Sequence, residues 1–131
     1  MSTTVFDIAG KITGTAAGAI AKFARVTGPI GPNRTFTIAG LTGRADGIAL
    51  TPATGEGDEI QVKLLSGADT NFGIASKAIT AGDKVYGAAD GELSDVQGVG
   101  AFAEGKAITD GGGDGDIIEW RYKPELTAGT E

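Results

Sequence analysis

Cysteine and histidine are both missing from this 131-residue chain. Their absence removes disulfides, thiolate nucleophiles, the usual zinc ligands and the commonest general base near neutral pH. Aromatic residues make up only 6% of the chain, so stacking platforms have few candidates. Basic residues form no run: 11 lysines and arginines lie scattered among 17 acids, and the formal charge of -6 opposes binding to a phosphate backbone. Nucleic acid is therefore not an expected partner. Nowhere do about 18 apolar residues follow one another, and the first residues lack the basic region and apolar run of a secretory leader. The expectation is a soluble protein made in the cytoplasm, with no membrane partner.

What the chain has in excess is glycine, with 23 residues. Each glycine inside a helix costs about 0.5–1 kcal/mol relative to alanine, so short strands and turns are favoured over long helices. Residues 79–103 show the pattern best. Lys84, Val85 and Tyr86 alternate as a half-buried strand does, and Asp90-Gly91 suits a hairpin turn that needs positive φ. Gly98, Gly100 and the alanines around Phe102 leave room for another backbone or subunit to come close. Phe36 and Ile38 share one face of a strand with Thr35 and Thr37 on the other, after a turn-rich connection over 28–33. Residues 19–26 fit both a helical stripe and an alternation, with strand preferred, and 66–77 fit a short helical turn or an irregular excursion.

Two stretches share one grammar. Gly57-Asp58 precedes Ile60, Val62 and Leu64 on one face, and Gly115-Asp116 precedes Ile118, Trp120 and Tyr122 on one face. Gly47-Ile48-Ala49 finds a counterpart within 98–103, and 17–23 resembles 81–86. These matches predict an all-β fold, a compact sandwich or small barrel of about seven to ten short strands built from two degenerate repeats over 17–64 and 81–122. Residues 1–16 read as an N-terminal arm or loosely held edge strand, 17–124 as a single β-domain, and 125–131 as a frayed C-terminal tail.

No motif carries catalysis. Gly100, Gly105 and Lys106 approach the spacing of a phosphate-binding loop, but Ala107 lacks the hydroxyl that holds magnesium and no helix is expected to follow. Asp110, Asp114 and Asp116 offer hard oxygen ligands in a glycine-rich loop, yet their spacing fits neither an EF-hand nor a calcium-binding nonapeptide repeat. A solvated turn suits them better, and neither metal nor cofactor is expected. Trp120 and Tyr122 alternate with Glu119 and Arg121, which favours core or subunit-interface packing over a sugar platform.

Residues 78–86, 98–103 and 115–122 together resemble the capsid cement, or head decoration, proteins of tailed bacteriophages, small β-rich proteins some of which have carried a RecA-like recombinase label. The resemblance spans about 17–122, on turn-and-strand patterns that fit this all-β reading. It implies a non-enzymatic structural protein of the virion, made in the host cytoplasm and bound to the outer surface of the head. Its implied partners are the major capsid protein and itself, as a homotrimer, and its implied role is to stabilise the expanded shell. Val5, Phe6 and Ile8 are then the candidate capsid-binding residues, with packing on their own domain or a neighbouring protomer the alternative, and Phe102, Trp120 and Tyr122 the candidate subunit interface. The competing expectation is a carbohydrate-binding β-sandwich that exposes Tyr86, Trp120 and Tyr122 together.

Overall fold

The computed structural model describes residues 11–67 and 69–129. Its regular structure consists of β1 (Lys11–Ala16), β2 (Arg25–Ile30), β3 (Thr35–Ile38), β4 (Gly47–Ala49), β5 (Glu59–Leu64), β6 (Thr70–Ile74), β7 (Lys84–Gly87), a 3-10 turn (Ala89–Gly91), β8 (Leu93–Ser94), β9 (Ala103–Ala107) and β10 (Ile117–Tyr122). Strands β1 to β5 close into a small barrel in the order β1-β3-β2-β4-β5, and β6 to β10 form an open sheet in the order β6-β10-β9-β7-β8. The expected all-β fold with a small barrel is what the chain adopts.

The two halves are copies of one topology. Antiparallel pairing of β1 with β5, β2 with β3, β2 with β4 and β4 with β5 returns as β6 with β10, β7 with β8, β7 with β9 and β9 with β10. The parallel contact of β1 with β3 returns as a single parallel bridge from Ala75 to Leu93. Isolated bridges correspond as well, Ile20 with Ala53 and Ile79 with Gly111. Register fixes the equivalences: Arg25 faces Ile48 and Ile48 faces Lys63 in the first lobe, where Lys84 faces Lys106 and Lys106 faces Arg121 in the second.

The duplication thus spans 11–64 and 70–122, wider than the expected repeats. Gly82 corresponds to Phe23 and not to Gly18, since Phe23 and Gly82 both donate to the carbonyl of the equivalent alanine, Ala49 or Ala107. Likewise the counterpart of Gly47-Ile48-Ala49 is Gly105-Lys106-Ala107 in β9, not 98–103. The alignment of Ile60, Val62 and Leu64 with Ile118, Trp120 and Tyr122 agrees with the ladders.

Each lobe has its own core. Ile12, Val26, Phe36, Ile60 and Val62 fill the barrel, while Val85, Leu93, Ile118 and Trp120 line the inner face of the open sheet. Fully burying such aliphatic or phenyl side chains contributes roughly 1.5–3 kcal/mol each relative to leaving them exposed. The cores interlock: Ile48 of β4 packs into the second cluster, Ile74 of β6 into the first, and Phe23 against both.

Both ends of the domain are more ordered than the sequence suggests. Residues 11–16, expected within an arm or a loosely held edge strand, form β1, which pairs with β5 on one side and β3 on the other and so lies at no edge. Residues 125–129, expected to fray, lie along the domain, with Glu125 N donating to Ala103 O, Gly129 N to Ala101 O and Gly100 N to Gly129 O. Within 66–77, expected to hold a short helical turn or an irregular excursion, residues 70–74 form β6.

Candidate interaction site

The junction between the lobes is organised by Arg25 of β2. Its side chain is fully buried, as is that of Glu104 on β9, and Nη1 donates to Glu104 Oε2 at 3.0 Å. Nη2 donates to the carbonyls of Ala39, Gly40 and Ala88, Nη1 also to Gly43 O, and Nε to Glu92 O. Acceptors from both lobes therefore converge on one guanidinium, whose planar fork of five N–H donors suits such a cage. Gly87 makes the space, since a β-carbon there would sit 3.1 Å from both terminal nitrogens. Glu104 Oε2 also accepts from Ala45 N, while its Oε1 has no hydrogen-bond partner among the described residues. Burial pushes the Glu104 carboxyl up, against the attraction of Arg25 and the hydrogen bond from Ala45, and lowers Arg25.

The residues singled out in the sequence are dispersed. Trp120 is fully buried, with its Nε1 donating to Phe72 O and its ring edge-on to Tyr122 at 6.3 Å between centroids. It takes the core role and offers no surface to a subunit or a sugar, so the platform of Tyr86, Trp120 and Tyr122 does not form. Tyr122 is half-buried, with burial raising its hydroxyl above the ordinary range. Phe102 is half-buried too, under the guanidinium of Arg44 at 4.6 Å and beside Ala128 of the C-terminal segment. The candidate arm residues Val5, Phe6 and Ile8 lie outside the described residues.

The two remaining motifs serve the backbone. Gly105, Lys106 and Ala107 lie within β9, so the near match to a phosphate loop is an extended strand whose amides belong to ladders. Asp116 Oδ2 accepts from Gly112 N, and Asp110 Oδ1 from Ala81 N. Asp58 does the same in the first lobe, taking hydrogen bonds from the Thr54 hydroxyl and the amides of Thr54 and Gly55, which lower its pKa. Among the described residues no three acidic side chains converge as a cation site.

Sequence inspection missed a row of cations on the outer face of the second lobe. Lys84, Lys106 and Arg121 stand directly opposite one another on β7, β9 and β10, all exposed. Lys123 joins them, and Lys106, Arg121 and Lys123 border a shallow hollow of about 580 Å³ with Ile108 and Tyr122. Lys84 Nζ meets Glu125 Oε2 at 2.8 Å, whereas none of the other three pairs with a carboxylate among the described residues. The signal was present as one basic residue at an outward position of each strand, but only the strand register aligns them.

No protein-family model and no curated protein matches this chain. A solved structure does: the fold is similar to the N base of the head fiber protein gp8.5 of bacteriophage phi29, at 18% sequence identity with a TM-score of 0.72, over 89% of this chain and 97% of that one.

Proposed function

We propose that this chain is a non-enzymatic structural protein of a tailed-phage virion, bound to the outer surface of the head and stabilising the expanded shell. The observation that carries the proposal is the likeness in fold to the phi29 head fiber base, which runs nearly the full length of both chains. It meets the resemblance to capsid cement proteins over about 17–122, which is strongest from residue 78 onward. The chemistry is compatible, because the buried pair of Arg25 and Glu104 joins the lobes, and Phe36 and Trp120 are taken up in the cores. Symmetric assembly as a homotrimer would let several weak contacts act together, since tethered contacts gain from effective concentration.

Cosedimentation with undecorated heads, before and after shell expansion, tests this. Saturable binding to expanded heads and a raised disruption temperature are expected, because a ligand that prefers the intact shell stabilises it by linkage. Absence of binding to both forms would overturn the proposal. In the same assay, deletion of residues 2–9 leaves β1 intact and reports on Val5, Phe6 and Ile8. Reduced occupancy is expected, and unchanged occupancy would remove the arm from the contact.

A further inference from the structure

We propose that the row Lys84, Lys106 and Arg121, extended by Lys123, is the docking surface for a carboxylate-bearing segment of a partner protein; this rests on the shell-binding role above and names the face that meets the shell. Directly opposed residues on neighbouring strands have β-carbons about 4.5–5.5 Å apart, and like charges there are destabilising. Folding gains nothing from placing three cations in one such row, in a chain with net charge -6.

The internal duplication shows what the row is placed for. Its equivalents in the first lobe are Arg25, Ile48 and Lys63; the second lobe covers Arg25 and Ile48, and the connection leading into it meets Lys63. Glu104 meets Arg25 at 3.0 Å, the second core takes up Ile48, and Asp69 meets Lys63 at 2.9 Å. Within one molecule, then, this face of the unit is a docking face, and each outer cation on it meets a carboxylate, Glu104 from the docked lobe and Asp69 from the connection before β6. In the second lobe the same face is open. Ile48 is replaced there by Lys106, so the apolar centre of the internal junction has become charged. A second copy docking as the second lobe docks on the first would bury that lysine, which disfavours endless head-to-tail growth. An acidic partner segment fits instead, with Tyr122 and Ile108 at the edge of the hollow to receive its apolar parts. Glu125 of the C-terminal segment already sets a carboxylate on Lys84, on the protein's own surface.

The test compares wild type with Lys106→Glu/Arg121→Glu in binding to expanded heads, with Lys22→Glu as a charge control elsewhere. The double variant is expected to bind about tenfold more weakly or worse, and wild-type binding to weaken as NaCl rises from about 50 to about 300 mM. Unchanged thermal unfolding of the variant keeps the comparison valid, and relief of like-charge repulsion is expected to preserve it. If wild type and the double variant bind heads equally, the docking surface is wrong while the shell-binding role stands. If wild type fails to bind heads, that role falls, and titration with an oligoglutamate peptide decides the docking surface alone. Saturable amide shifts at Lys84, Lys106 and Arg121 uphold it. No shifts, or tighter binding of a single-stranded oligonucleotide of equal charge, overturn it.

Discussion

At the scale of single residues, Arg25 and Glu104 show how a chain of modest hydrophobicity holds two lobes together. A buried ion pair is weak evidence of net stabilisation, because desolvation offsets much of the attraction, but removal of one partner strands the other. Arg25→Met leaves Glu104 buried without its cation, and the carbonyls of Ala39, Gly40, Gly43, Ala88 and Glu92 lose the Arg25 donor, with a backbone amide remaining on Gly40 O and Glu92 O. The variant is expected to lose about 3–5 kcal/mol in urea unfolding, and Arg25→Met/Glu104→Met to lose less than the two single variants summed. A change within about 0.5 kcal/mol for Arg25→Met would show that the junction does not depend on it. The pH dependence has a definite sign. Burial lifts the Glu104 carboxyl above its ordinary 4.5, so its contribution is fully present below the unfolded pKa and is lost as pH rises through the folded one. Without Arg25 the opposing attraction is gone, and that loss of stability with rising pH becomes steeper.

At the scale of elements, what could be read from sequence depended on whether a strand's inward positions carry bulky side chains. In β5 and β10 they do, at Ile60, Val62, Ile118 and Trp120, and alternation alone found both strands. In β1 and β6 that run is broken, since the inward positions are Ile12, Gly14 and Ala16 in one and Asn71 and Gly73 in the other. Gly14 and Gly73 occupy equivalent inward positions because the space is filled from across the sheet by Phe36 in one lobe and by Leu93 and Trp120 in the other. A strand whose central inward residue must be glycine has little apolar alternation to read, so β1 reads as an arm or a loosely held edge strand and β6 as a short helical turn or an irregular excursion. The displaced repeat alignment has a similar cause: Phe23 takes a left-handed conformation, φ 72°, where the second lobe has Gly82 at φ 94°. Matching glycine to glycine misses that equivalence. The cationic row went unseen for the same reason, being a property of register between strands. These tight approaches predict unequal glycines. A β-carbon at Gly105 would run into the carbonyl of Arg121, while Gly113 faces open space. Gly105→Ala is expected to cost about 1–3 kcal/mol by overpacking and Gly113→Ala to stay within about 0.5 kcal/mol, measured by thermal or urea unfolding. Equal costs would contradict the close approach of β9 to β10.

At the scale of the whole molecule, duplication need not mean independence. Each lobe is topologically complete, yet the first is a closed barrel and the second an open sheet, and Ile48 of the first lobe packs into the second core. The lobes should therefore unfold as one cooperative unit, with the change felt in one lobe reported by the other. The single tryptophan makes this measurable, since Trp120 lies in the second lobe and circular dichroism follows the strands of both. For wild type, fluorescence and circular dichroism midpoints should coincide. Ile48→Ala, made in the first lobe, is expected to lower both midpoints together by an amount equivalent to about 2–5 kcal/mol, the range for truncating a buried isoleucine. A fluorescence transition that stays at the wild-type midpoint while circular dichroism shifts would mean that the lobes unfold separately. Coincident shifts would mean that the pairing of one unit's outer face with its neighbour holds the molecule together, which is the same face the second lobe leaves open around Lys106.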